Sequence, residues 1–251
     1  MSIAASDTKP PCVLTVAQIR AVDAIAVRDF GMSSLVLMEN AGRGCADWID
    51  TRLDRSSSVV VLCGPGNNGG DGLVIARHLH AMGHRLRLWM VAEHGKLSQD
   101  ADANLKIVEH TKLRIGWIGD WLTPPELEQA WNQLRSDCAN SHMIIDALLG
   151  TGATGRPRPL MADILRLANA SILQRVAIDI PTGLDAETGQ ASEPTFHADT
   201  TLTFVAKKPG FLESCATEYL GSVHILPIGV PPEVFDRIKP MYSCQPEDRL
   251  E

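Results

Sequence analysis

The chain has 251 residues, of which 45% are hydrophobic, 5% aromatic and 21% charged, and its formal net charge is −7. That length suits one large α/β domain or at most two small ones. The acidic balance argues against nucleic acid or an anionic membrane as the main partner.

The six cysteines (Cys12, Cys45, Cys63, Cys138, Cys215, Cys244) form no C-x-x-C pair, so neither a zinc site nor a disulfide framework is indicated. Residues 1–12 lack the apolar core of a signal peptide, and no apolar run approaches a membrane span. The expectation is a reduced, soluble, cytoplasmic protein. Its core should run over about residues 14–237, with loose ends at Pro10-Pro11 and in the last residues.

Val16, Ile19, Val22, Ala26 and Val27 recur at helical spacing behind Thr15, a natural N-cap, and Gly31 ends the run. Ser33-Ser34 opens a second helix carrying Leu35, Leu37, Met38, Ala41, Cys45, Trp48 and Ile49. Two helices therefore precede the first strand. Strands are then predicted at Ser58–Cys63, Arg85–Val91, His142–Leu148, Val176–Ile180, Thr201–Val205 and Ser222–Leu226. Helices are predicted at Asp71–Met82, Ser98–His110, Pro125–Asp137 and Pro159–Ala170. Near-continuous apolar strands separated by helices imply a single three-layer α/β/α domain with a mostly parallel sheet covered on both faces. The alternation in "TTLTFVAKKPG" suggests a more exposed or edge strand there.

Ligands of open parallel sheets bind beyond the carboxyl ends of the strands. Three strands deliver an acid and a glycine-rich turn to that edge: "GPGNNGGDG" with Asp71, "DALLGTGATGRPR" with Asp146, and "AIDIPTGLDAETG" with Asp179 and Asp185. Asp71 can be read as a helix cap, and Asp185 and Gly189 as turn formers. Asp146 and Asp179 are harder to dismiss, because acids in apolar strands are seldom buried without a partner. Carboxylates with an Asn amide and hydroxyls suit a hard cation, not zinc. Such a cation lets acids and a phosphorylated ligand occupy one pocket.

Gly64-x-Gly66-x-x-Gly69 also fits a dinucleotide-binding turn, with Glu93 near the expected offset of a ribose-binding acid. The further glycine turns are not required by that reading, and a P-loop fails because Gly70-Asp71 follows Gly69. Cys63 ends a strand and reads as core in preference to a nucleophile. His78, His80 and His84 read as surface residues, since His78 and His80 point to different helix faces.

Taken together, "LMENAG" (Leu37–Gly42), "GPGNNGGDG", "DALLGTG", "AIDIPTGLDAETG", "ADTTLTF", "KKPG" and "IGVP" resemble the NAD(P)H-hydrate epimerase family, also called the YjeF N-terminal domain, in the family's order from about Leu14 to Pro231. The resemblance implies a Rossmann-like fold, usually a homodimer. It also implies interconversion of the R and S forms of hydrated NADH or NADPH, so that a separate S-specific dehydratase can repair them.

By motif match, Asn67, Asn68, Gly69, Gly70 and Asp71, then Gly150, Thr151, Gly152, Ala153, Thr154, Gly155 and Arg156, together with Asp179, contact the substrate. The resemblance likewise implies that Asn68, Asp146 and Thr182 would bind a potassium ion. Asp179 is the first choice for the acid–base group, with Lys208 an outside candidate.

Thr182 replaces the family's usual serine, and Pro227 stands before "IGVP" where an acid is common. The chain has no room for the kinase-like dehydratase often fused to such domains, so it is expected to epimerise without repairing alone. The alternative is a non-catalytic Rossmann-like interaction or nucleotide-binding module. Such a scaffold is expected to lose the site pattern, which is intact here.

Overall fold

The computed structural model describes residues 13–153 and 155–238. The two N-terminal helices form where their caps stand. The Thr15 hydroxyl accepts the Gln18 N–H while the Gln18 side chain returns to Thr15, and left-handed Gly31 closes α1 (Val16–Phe30). Ser33 caps α2 (Ser34–Asp50). The chain then alternates: β1 (Ser58–Cys63), α3 (Asn67–Ala81), β2 (Arg85–Met90), α4 (Gln99–Glu109), β3 (Ile115–Trp117), α5 (Pro124–Ala139), β4 (Met143–Ala147), α6 (Pro159–Asn169) and β5 (Gln174–Ile178). After a long connection come β6 (Thr200–Phe204), α7 (Thr217–Leu220), β7 (Ser222–Leu226) and α8 (Pro232–Phe235).

The strands lie in the order β3-β2-β1-β4-β5-β6-β7, and every pairing is parallel. The two-residue period of a strand divides β1 between two cores. Val59, Val61 and Cys63 pack with Val22, Leu37, Leu73, Leu105 and Val234 from α1–α4 and α8. Val60 and Leu62 pack on the other face with Leu134 of α5 and Leu165 of α6. Ile180, Leu184, Phe211 and Leu220 form a smaller cluster outside the sheet. From β1 the chain first builds outward through β2 and β3, then returns to lay β4 on the opposite side. The crevice beyond the carboxyl ends of β1 and β4 is therefore the topological switch point.

Four departures from the sequence reading stand out. Helix α3 starts at Asn67, with Gly66 as its N-cap, so Asp71 lies a full turn inside and does not cap it. The strand expected at 176–180 is Gln174–Ile178, which leaves Asp179 just beyond its end with φ of 66°. The three-residue β3 carries too short a pattern to be found by periodicity. "TTLTF" is neither an edge nor exposed: β6 is buried throughout, between β5 and β7. Two of its buried threonines have partners, since Thr201 Oγ1 donates to the Leu220 carbonyl at 2.7 Å and Thr203 Oγ1 accepts from Lys208. Both chain ends, expected to be loose, lie outside the described residues.

The glycines of the first turn divide by role. A Cβ on Gly64 would lie 1.8 Å from the Leu148 carbonyl oxygen, and one on Gly69 would lie 1.9 Å from that of Gly64, whereas nothing stands within 4 Å at Gly66. The outer two allow backbone contact, and the middle one leaves open space. Gly64→Ala should therefore cost about 3 kcal/mol or more, a fall of roughly 6–12 °C in melting temperature. Gly66→Ala should melt within about 2 °C of the parent. Thermal unfolding followed by circular dichroism separates the two; equal effects would contradict this division.

Candidate active site

A cavity of about 630 Å³ opens at the switch point. That lies within the roughly 300–1,000 Å³ range of small-molecule sites. Its wall takes Pro65–Asn68 and Asp71 from the first turn and α3, Leu148–Ala153 from the second turn, and Asp179, Phe204 and Val205 from the ends of β5 and β6. Helices α1 and α2 close it with Ile19, Arg20, Asp23, Val27, Ser34, Leu37, Met38 and Ala41, and α4 adds Asp100.

The first turn of α3 has no side-chain cap. Its unpaired N–H groups, beside the open space at Gly66, form an anion-receptive surface.

Asp179 is fixed from two sides. Lys208, fully buried, places Nζ 2.5 Å from Oδ1 and also donates to Thr203 Oγ1, while the Thr151 N–H donates to Oδ2 at 3.0 Å. Burial alone would raise the Asp179 carboxyl. The Lys208 charge and these hydrogen bonds outweigh it and hold the group below the usual aspartate value. Asp179 is thus a carboxylate at neutral pH, poised to accept a proton or to face positive charge. Asp179 and Val205 both have positive φ, 66° and 68°. Two adjacent strand ends therefore present strained backbone to one cavity.

Asp146 sits behind this wall, completely buried. Its Oδ2 accepts the Thr182 N–H at 2.8 Å, and its Oδ1 accepts the Thr182 hydroxyl at 2.8 Å and the Leu148 N–H at 3.1 Å. Burial pushes its carboxyl up to about 6 against the pull of those bonds. Thr182 Oγ1 also accepts the Leu149 N–H at 3.0 Å, tying the turns after β4 and β5 together. Asn68 is buried, yet neither Oδ1 nor Nδ2 has a partner among the described residues. An orphaned buried amide beside Gly150 is the feature that fits an absent ligand or cation. Amide, carboxylate and hydroxyl oxygens match the donor set of a hard cation.

Of the expected substrate contacts, Asn67, Asn68, Asp71, Gly150, Thr151, Gly152, Ala153 and Asp179 line the cavity. Gly69 packs on Gly64 and Gly70 on Met38, so both shape the wall from behind. Gly155 faces a separate small cavity, Arg156 is exposed, and Thr154 lies outside the described residues.

Arg20, Asp23 and Asp100 also line the cavity, and the motif reading passed over them. Charged residues spaced three apart on the face that also carries Ile19 and Val27 were the available signal for Arg20 and Asp23.

Other motifs are structural. Asn40 Nδ2 donates to the Ile228 carbonyl at 2.9 Å, joining "LMENAG" to "IGVP". A Cβ on Gly42 would collide with Val74. Glu93 pairs with Lys96 and is not on the cavity wall. Cys63 is fully buried, and burial raises its thiol far above the ordinary value, with the Asp71 charge adding to the effect. The histidines are less exposed than expected. His84 is 4% exposed with Nε2 2.6 Å from Asp50, and His78 Nε2 lies 2.7 Å from Glu39.

Asp23 and Asp71 accept no hydrogen bond from a described residue. Burial, with the Asp179 charge adding, pushes Asp23 up to about 6 despite Lys208. Burial, then Asp179 and Asp23, raises Asp71. The folded chain therefore binds these protons more tightly than the unfolded chain does. That stabilisation is complete below the unfolded value, about 4, and is lost as pH rises through the folded values. Asp71→Asn should melt roughly 3–6 °C above the parent at pH 8 and within about 1 °C of it at pH 4. Calorimetry at the two pH values checks this.

The profile of the YjeF-related protein N-terminus family matches residues 34–210. The chain is 40% identical to an NAD(P)H-hydrate epimerase of Rhodopirellula baltica, over 90% of this chain and 86% of that protein. It is 38% identical to one of Pirellula staleyi, over 88% and 94%. It is also 38% identical to a bifunctional NAD(P)H-hydrate repair enzyme of Salinibacter ruber, over 96% of this chain but only 45% of that protein. The crystal structure of yeast ynu0 superposes with a TM-score of 0.76 at 21% identity, covering 94% of this chain and 97% of that one, which shows the common fold. With matching motifs from the first turn to the last and a cavity built from them, the chain belongs to the YjeF-related N-terminal family.

Proposed function

We propose that the protein is an NAD(P)H-hydrate epimerase, interconverting the R and S forms of NADH or NADPH hydrated at C6 of the nicotinamide ring. The observation that carries this reading is Asp179. It is an ionised carboxylate pinned by buried Lys208, facing a dinucleotide-scale cavity between two glycine turns. The names borne by the relatives agree with it. A scaffold alone has no use for that arrangement.

Epimerisation requires the C6–O bond to break and re-form. The N1 lone pair expels the hydroxyl once that oxygen is protonated, leaving a planar cationic ring to which water returns from either face. The Asp179 carboxylate stabilises the cation, and the uncapped N–H groups of α3 hold a substrate phosphate. Arg20, which makes no ion pair among the described residues, borders the second turn and supplies a cation for a phosphate.

Asn68, Asp146 and Thr182 would hold potassium, for which the orphaned Asn68 amide is the support. When bound, it supplies a fixed positive charge beside the substrate. Exposed Val27, Leu35 and Val36 on α1 and α2 support a homodimer. Repair would be completed by a separate S-specific dehydratase. Among the described residues no helix is long and apolar enough to cross a membrane.

Chromatography of R-enriched NADHX should show equilibration with S without loss of either, and a rate equal to the spontaneous one would refute the proposal. Asp179→Asn should lower kcat by about 10²-fold or more. Asp146→Ala should weaken the response to potassium titration and raise KM together. An unchanged potassium response in that variant, measured by intrinsic fluorescence as well as rate, would make Asp146 purely structural.

A further inference from the structure

Four aspartates line the cavity, and the structure treats three of them, Asp23, Asp71 and Asp179, unequally. Asp179 takes both the buried lysine and the Thr151 N–H. Asp23 of α1 and Asp71 of α3 line the same cavity with no hydrogen-bond donor from a described residue. The charged groups around them are few. Helix α1 adds Arg20, which pairs with neither acid, and α4 adds Asp100. Helix α2 contributes Ser34 and the apolar Leu37, Met38 and Ala41. Beneath Asp71, the thiols of Cys45 and Cys63 are fully buried and kept neutral, by burial first and by the carboxylates second. The cation facing this group of acids from the strand ends, Lys208, is already bound to Asp179 and Thr203.

We infer that Asp23 and Asp71 form a coupled acid pair holding one proton near neutral pH, with Asp71 as the donor to the substrate and Asp23 as the residue that keeps Asp71 loaded. Two carboxylates facing one partly enclosed space, neither held in an ion pair by a described residue, cannot both ionise cheaply. The raised Asp23 and Asp71 carboxyls and the lowered Asp179 carboxyl agree with this division. Environments that push neighbouring acids apart in this way mark which group gives a proton and which stays charged.

The inference rests on the epimerase reading, and it supplies the proton which that chemistry needs. Asp71 gives its proton to the C6 oxygen, and the C6–O electron pair leaves with the departing water. The N1 lone pair becomes the N1=C6 double bond, opposite the Asp179 carboxylate. When water adds at C6, that π pair returns to N1 and the surplus proton of the water returns to Asp71. No oxidant, reductant or net proton is consumed. Asp23 touches no reacting atom in this scheme; it is a positioning residue that acts through its charge.

The test compares pH profiles of kcat and KM for the wild type, Asp23→Asn and Asp23→Glu at fixed potassium concentration. It adds carboxyl ¹³C titrations of aspartate-labelled protein, with the Asp71 signal assigned by its loss in Asp71→Asn. A neighbouring negative charge raises an acid's pKa, so removing it lets Asp71 lose its proton at lower pH. Asp23→Asn should move the alkaline limb of kcat down by about one pH unit, lowering the rate roughly tenfold at pH 8, with KM within about twofold. Asp23→Glu should restore the limb. The Asp71 carbon should titrate well above about 4 in the wild type and move downward in Asp23→Asn.

A wild type that epimerises while Asp23→Asn leaves the limb in place overturns the pair and spares the epimerase reading. A wild type with no activity at any pH overturns the epimerase reading, and the ¹³C titration then judges the pair by itself. An Asp71 carbon titrating near about 4 overturns the inference in either case.

Discussion

The buried contact between Lys208 and Asp179 is the constraint on which the site depends. Removing two charges from water costs several kcal/mol per ion, so such a pair persists only where its remaining polar atoms are also bound. Here Thr203 takes a second Lys208 hydrogen bond and the Thr151 N–H takes the second carboxylate oxygen. The Asp179 N–H is itself bound to the Leu202 carbonyl at 2.7 Å, which holds the strained backbone at the end of β5. One interaction therefore joins β5, β6 and the turn after β4. It gives one carboxylate a permanent charge and leaves no such compensation for the others.

The switch point supplies the rest. Because β1 and β4 are neighbours that diverge in connection, the turns after them face one crevice. The two turns meet through backbone contact between Gly64 and Leu148, closer than any side chain permits. An anion-receptive turn and a group of acids coexist because they occupy different parts of this crevice. The anion-receptive N–H groups lie at the uncapped first turn of α3, around Gly66, whereas Asp71 projects from the next turn, where its neighbours are Asp23 and Asp179. An acid at the very start of α3 would compete with phosphate for the same N–H groups; one turn later it does not.

The depth of Asp146 makes the same point in another way. Its three hydrogen bonds go to Thr182 and Leu148, so it braces the two turns that carry Gly150 and Asp179, whether or not a cation lies beyond it. Asn68 differs, because neither atom of its buried amide has a partner among the described residues. The two residues share a motif-level expectation, yet Asp146 already accepts three hydrogen bonds whereas the Asn68 amide has none among the described residues.

The sequence by itself determined the helices with written caps, the parallel α/β class and the three glycine-and-acid turns. Each of these depends on neighbours within a few residues: Thr15 with Gln18, the apolar runs of β1 and β4, Gly64 with Gly69. It did not determine that Asp71 lies inside α3, because Asn67, Asn68, Gly69 and Gly70 are weak helix formers that nonetheless make up its first turn. It misread "TTLTF" because a threonine looks exposed until its hydroxyl partner, Leu220 or Lys208, is known. It passed over Asp23, whose neighbours Asp71 and Asp179 are 48 and 156 positions away along the chain. Only the tertiary structure decides which carboxylate receives the lysine. Charge state depends on burial and on contacts distant in sequence, and local pattern carries neither.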